Sequence, residues 1–172
     1  MSGYLSLAVT VGLLAVLDTW LYVGPLGTSI IAGLVWISFI AWGCHFHSGG
    51  GTKGATTAVV CMSWGALVGM GAVMLASNVL NDALGAEVGV SVAVGLGAAL
   101  ICLSSKVPLL ATIPASVYGF ASIAGPIILR GDAPEDAILP VVLSVIIGAA
   151  FGYASEMISN LLTKKAPVVV DS

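Results

Sequence analysis

Apolar residues fall along this chain in blocks of roughly 20, the length at which a helix crosses the hydrocarbon core of a bilayer. Short polar or glycine-rich stretches separate them. The first block covers residues 5–23 and is broken by Gly24-Pro25-Leu26-Gly27. The second covers 28–44 and gives way to HFHSGGGTKG at 45–54, which is too polar to continue a lipid-facing helix. The third covers 55–80 and ends at Asn81-Asp82, and the fourth covers 85–103 before the turn Ser104-Ser105-Lys106. The fifth, 107–129, contains Pro108, Pro114 and Pro126, and a charged loop follows at 130–136. The sixth covers 137–162, with Lys164 and Lys165 beyond it. The pattern predicts an all-α membrane protein with six transmembrane helices in a single transmembrane domain spanning 1–172.

The blocks repeat. Residues 8–17, AVTVGLLAVL, align with residues 91–100, SVAVGLGAAL, at an offset of 83. Val9, Val11, Gly12, Leu13, Ala15 and Leu17 meet identical residues there. The same offset sets Gly65-Ala66 and Gly69 on Gly148-Ala149 and Gly152, and an offset of 78 sets Ser38 and Ala41 on Ser116 and Gly119. The expected architecture is a three-plus-three inverted-topology repeat, with halves 5–80 and 85–162. Three spans are an odd number, so the second half must cross the membrane in the opposite sense. Such repeats commonly place a solute path at the repeat interface, near interrupted helices. The second span ends in glycines and the fifth carries prolines, so the middle spans are the expected interruptions. Gly65-xxx-Gly69 and Gly148-xxx-Gly152 are helix-packing faces, within a protomer or between protomers.

Composition agrees with the span pattern. Of 172 residues, 59% are hydrophobic and only 8% charged, against roughly 25% charged in a soluble domain; mean hydropathy is +1.13. The net charge of -3 suggests no nucleic-acid partner. Lys53, Lys106, Lys164 and Lys165 fall on the N-terminal side of a six-span topology, and Arg130 falls opposite. Cytoplasmic loops hold the Lys and Arg excess, so both termini are expected in the cytoplasm. The first span lacks the basic leader of a signal peptide and contains Asp18. Cys44, Cys61 and Cys102 are widely spaced and lie in or beside apolar blocks, which suggests small buried hydrophobes.

Few residues can carry chemistry. Asp18 and Glu156 lie within spans, where a charge costs at least about 2.5–3.5 kcal/mol and usually faces a cavity or partner. No Lys or Arg lies within a span to pair with them. His45 and His47 diverge on a helix, and two histidines fall short of a metal site. They are either an interfacial pair or, with Glu156, a gate or pore mouth. Gly49-Gly50-Gly51-Thr52-Lys53-Gly54 lacks the spacing of a phosphate loop, although the helix N-terminus it leads into could receive a small anion. Neither an enzyme constellation nor a cofactor fingerprint is present in the sequence.

Trp36-Ile37-Ser38-Phe39-Ile40-Ala41, followed by Gly50-Gly51-Thr52-Lys53-Gly54, resembles the domain-of-unknown-function family 1097 of small bacterial inner-membrane proteins. Val107-Pro108 and Leu139-Pro140, the latter followed by Gly148-Ala149-Ala150-Phe151-Gly152-Tyr153-Ala154, fit the same family. The resemblance implies a membrane location and names no substrate. The expectation is a channel or transporter for a small polar solute, neutral or singly charged, such as an amide, amine or small ion. Its path would run between the second and fifth spans, flanked by Asp18 and lined by Ser38, Thr112, Ser116 and Tyr118. The alternative is a structural or accessory membrane subunit. The expected partners are the solute, the lipid bilayer and further copies of the chain in a homo-oligomer, with no cofactor and no metal.

Overall fold

The structure, a computed structural model, describes residues 2–163. It is all-α, with no strand among the described residues. Five helical stretches are long and apolar enough to cross a membrane: Gly3–Val23, Gly51–Leu84, Ala86–Ser104, Ile113–Arg130 and Pro134–Leu162. Gly3–Val23 is helix α1. The remaining expected span, the second, holds a shorter helix, α2 (Val35–His47). Its 13 residues reach about 20 Å, less than the bilayer core.

Local chemistry explains that shortness. Pro25 has no N–H and disfavours helix in the residue before it, so α1 stops at Gly24. Successive tight turns follow, with the N–H groups of Gly27, Ser29, Ala32 and Leu34 donating to the carbonyls of Gly24, Leu26, Ser29 and Ile31. Gly33 lies at φ 74°, a conformation open to glycine. Arg130 braces the segment, its Nη1 donating to the carbonyls of Ile30 at 3.2 Å and Ala32 at 3.0 Å. Helix therefore begins at Val35 and continues through both histidines to His47, so HFH belongs to the helix rather than to a loop.

The turn after α2 spans only residues 48–50. Gly49, Gly50 and Gly51 all have positive φ, which accounts for three glycines in a row. Helix α3 (Gly51–Leu75) runs on through a π-helical turn, Ala76–Leu80, and the short α4 (Asn81–Leu84). Asn81-Asp82 thus lies inside the helical stretch, which Gly85 ends at φ 83°. Helix α5 (Ala86–Ser104) is followed by a 3-10 turn, Pro108–Leu110, and α6 (Ile113–Gly125), which passes into a π-helical turn, Pro126–Arg130. Pro108 and Pro114 sit in the first turns of their elements, where a missing N–H is harmless. They set where helices start, which corrects the expectation of prolines deep in a helix. Helix α7 (Pro134–Leu162) completes the described chain.

The halves repeat in register. α5 and α7 begin 83 residues after α1 and α3, at Ala86 against Gly3 and Pro134 against Gly51. Both ends of α6 lie 78 residues beyond those of α2. Buried positions follow the same offsets. Ser6, Thr10 and Asp18 of α1 match Gly89, Ala93 and Ile101 of α5. Gly65 and Gly69 of α3 match Gly148 and Gly152 of α7. Packing partners are exchanged as well: α3 lies against α6 and α5, while α7 lies against α2 and α1. The core forms where α2, α3, α6 and α7 meet, around Ile37, Met62, Ile123 and Val145.

Glycine makes this crossing possible. A Cβ on Gly65 would strike the Ser116 carbonyl, and one on Gly148 would strike the Ser38 carbonyl, its repeat counterpart. Gly69 lies against Phe120 and Ile123, and Gly152 against His45. Both glycine pairs are therefore spent inside the protomer, which removes them as support for a homo-oligomer. Cys44 and Cys61 are buried, whereas Cys102 is exposed on α5.

Candidate functional site

The helix pairs α2–α7 and α6–α3 are equivalent in backbone and unlike in side chains. Between α2, α7 and the adjoining α1 runs a column of polar groups. Tyr22 of α1 faces Ser144 of α7, Ser38 of α2 and Asp18. Next to it, the Ser38 hydroxyl donates to Asp18 Oδ2 at 2.8 Å. Further along, Trp42 Nε1 donates to Ser155 Oγ at 3.0 Å, and His45 Nε2 lies 3.0 Å from Glu156 Oε2. Last comes Ser6, whose hydroxyl donates to the Ser159 carbonyl at 2.7 Å and accepts from Ser159 Oγ at 3.3 Å.

Helix geometry orders these contacts. Ser144 to Ser159 is 15 residues along α7, or about 22 Å at 1.5 Å per residue. α2 runs parallel to this stretch and α1 antiparallel, so Ser38 precedes His45 while Asp18 precedes Ser6 in reverse. The column ends in a cavity of about 450 Å³ lined by Glu156, Ser159, Asn160 and Thr163 with Gly49 and Gly50.

Asp18 is fully buried, 0% exposed, among groups that carry no opposite charge. Its Oδ1 has no hydrogen-bond partner among the described residues, and neither do Tyr22 Oη, Ser144 Oγ, Thr10 Oγ1 or His45 Nδ1. Five of the eight such buried atoms therefore lie in this one sector. Buried polar groups are normally paired because burial without a partner costs about 1–3 kcal/mol. A cluster of them needs an explanation beyond folding.

The equivalent sector offers little of this. At the repeat offsets Asp18 corresponds to Ile101, Thr10 to Ala93, Ser144 to Cys61, Trp42 to Phe120, Ser155 to Ala72, His45 to Ile123 and Glu156 to Val73. Its polar contacts are Cys61 Sγ donating to the Leu109 carbonyl at 3.3 Å and Trp64 Nε1 donating to Ser104 Oγ at 2.9 Å.

The expected site residues are thus divided. Asp18 and Ser38 meet. Ser116 is buried in the other sector behind Gly65, its Oγ unpartnered. Thr112 precedes the first turn of α6 there. Tyr118 stands edge-on to His47, ring centroids 6.0 Å apart. His45 is buried and joined to Glu156, while His47 is exposed. The α3 N-terminus offers no free first amide to an anion, because Gly51 N–H donates to Glu156 Oε2 at 2.6 Å. Glu156 therefore caps α3 and links it to α2. Lys164 and Lys165 lie outside the described residues.

Tyr22, Ser144, Ser155, Ser6 and Ser159 were not singled out from the sequence. Their signal was available in the repeat alignment, as polar residues facing mostly small or apolar counterparts.

These features define a multi-pass α-helical membrane protein built from two three-helix halves, with buried polar groups gathered on one side. The chain belongs to the family described as Protein of unknown function (DUF1097), whose profile matches residues 8–160. No curated protein matches the chain, and no solved structure does.

Proposed function

We propose that this protein moves a small polar solute, neutral or singly charged, across the bacterial inner membrane, with both termini in the cytoplasm. The observation that carries this reading is the polar column confined to one of two equivalent helix interfaces. If its polar groups served packing alone, the α3–α6 interface would need a similar set. It packs the same backbone with mostly apolar side chains instead, Ser116 being the buried hydroxyl it keeps at the counterpart of Ser38. An acid deep in a span and lacking a basic partner usually marks a solute or ion pathway.

The path follows α1, α2 and α7 instead of the gap between α2 and α6. Because α2 and α7 come from different halves, it still lies at the repeat interface. The cavity at Glu156 and Asn160 is its cytoplasmic mouth. His45 and Glu156 form the narrow point above it, and Asp18, Ser38 and Tyr22 form its midmembrane site. The short helices α2 and α6, each preceded by irregular backbone, are the elements placed to move. Exposed apolar faces on α1 and α5 meet lipid or further copies in a homo-oligomer.

Flux into proteoliposomes tests the reading. Ammonium, methylammonium, urea, acetamide, sodium and potassium form the panel. At least one should enter tenfold faster than into protein-free liposomes. Entry at the protein-free rate for every member, with folded protein in the bilayer, would favour an accessory subunit.

A further inference from the structure

We infer that Asp18, Tyr22, Ser38 and Ser144 form a binding site for one compact, dehydrated monovalent cation, an alkali-metal or ammonium ion. The inference deepens the transport reading and rests on it for the site's role, while binding itself can be measured alone.

Four oxygen-bearing side chains from three helices converge here. Asp18, Ser38 and Ser144 are 0% exposed and Tyr22 is 2% exposed. Ser38 occupies Asp18 Oδ2. Asp18 Oδ1, Tyr22 Oη and Ser144 Oγ have no partner among the described residues. One free carboxylate oxygen and two unpartnered hydroxyl oxygens are donors suited to a hard cation, which takes carboxylate, hydroxyl and carbonyl oxygen. Nitrogen and sulfur ligands favoured by transition metals are absent from this group.

Charge sets the valence. One buried carboxylate neutralises one positive charge, and a divalent ion would leave a net charge in low dielectric, which is costly. A proton on Oδ1 would lack an acceptor there; a proton on Oδ2, donated to Ser38 Oγ at 2.8 Å, is the competing way to neutralise Asp18, and the acid arm of the test separates it from cation binding. Surroundings of Leu34, Ile37, Val141 and Val145 require an entering ion to shed its water and to be held by these oxygens. Ile101 stands at the repeat counterpart of Asp18, so the inference assigns one such site per protomer.

The test is thermal unfolding of the full chain in lipid nanodiscs at pH 8, at constant ionic strength set with choline chloride. Sodium, potassium and ammonium are titrated in separate arms. A saturable rise in Tm of about 5 °C is expected in at least one arm. Stabilisation by sodium or potassium assigns an alkali-metal ion; stabilisation by ammonium alone assigns a nitrogen cation. Asp18→Asn should abolish the rise, and Ser144→Ala and Tyr22→Phe should each move its midpoint about tenfold upward. If Asp18→Asn does not fold, the two milder variants decide.

Four results would overturn the inference: equal Tm in choline and in all three cations, a rise retained in Asp18→Asn, midpoints unmoved in both milder variants, or a rise reproduced by acid in choline with no cation adding to it. Flux that depends on Asp18 without cation binding would leave the transport reading standing and this inference lost. Cation binding without flux would do the reverse.

Discussion

The α2–α7 and α6–α3 interfaces share one backbone pattern and carry different side chains. In both, a glycine on the long helix, Gly148 or Gly65, lets it lie on a serine carbonyl of the short helix, Ser38 or Ser116. In both, the flanking helix, α1 or α5, packs on the outside of the long one. One interface is stitched by Asp18–Ser38, Trp42–Ser155 and His45–Glu156. The other has Ile101, Phe120 and Ile123 at the matching places. The backbone crossing needs small residues and is indifferent to the rest, so the polar groups are additions to a fold that the apolar interface shows can form without them.

The largest effect should come from making the interfaces alike in the wrong direction. Ile101→Asp places an acid where no Tyr22 or Ser144 equivalent surrounds it, since Ser105 and Cys61 stand there. An uncompensated buried charge costs about 3–5 kcal/mol, so this variant should lose most of its folded yield by size-exclusion chromatography. A yield like that of the natural chain would show that the α5 side is wetter than its packing suggests.

Next are the shared contacts. Gly65→Ala and Gly148→Ala should each destabilise the bundle by about 1–3 kcal/mol, because their Cβ atoms meet backbone that cannot turn aside. Thermal unfolding in detergent would read this. The repeat pair Gly12→Ala and Gly95→Ala, where nothing lies within 4 Å, should stay within about 0.5 kcal/mol of the parent. Unequal losses at Gly65 and Gly148 would break the equivalence on which the comparison rests.

The smallest effect is expected at the cytoplasmic end. Glu156→Gln keeps an oxygen near Gly51 N–H but weakens a charge-assisted cap and the link to His45. A loss of about 1 kcal/mol is expected, with faster amide exchange at residues 49–52 by mass spectrometry. Unchanged exchange there would show that the glycine turn holds itself.

Much of the fold was legible in the sequence because hydrophobic blocks and glycine spacing report directly on spans and crossings. The repeat offsets of 83 and 78 set the helix register seen in the structure. Two features were misjudged for local reasons. Prolines 108 and 114 do mark a break in the expected fifth span, a 3-10 turn before α6, but they act from first turns, where they cost little, and not from within a helix. The glycines after His47 do end α2, but the shortening of that span comes from upstream, at residues 24–34. The site was half legible. Asp18 and Ser38 stood out because an acid and a hydroxyl are conspicuous in apolar spans. Ser144, Ser155 and Tyr22 did not, because a lone serine or tyrosine in a span is ordinary until its neighbours are known.

The central claim is that one of the two equivalent interfaces conducts solute while the other only holds the bundle together. Initial flux of whichever panel solute proves permeant, measured in proteoliposomes for two pairs of variants, tests it most directly. Asp18→Asn and Ser144→Ala alter the polar interface; Ser116→Ala and Cys61→Ala alter its counterpart. The account predicts at least a tenfold loss of flux in the first pair and a change of less than about twofold in the second. Losses of equal size in both pairs, or a loss confined to Ser116→Ala and Cys61→Ala, would contradict it.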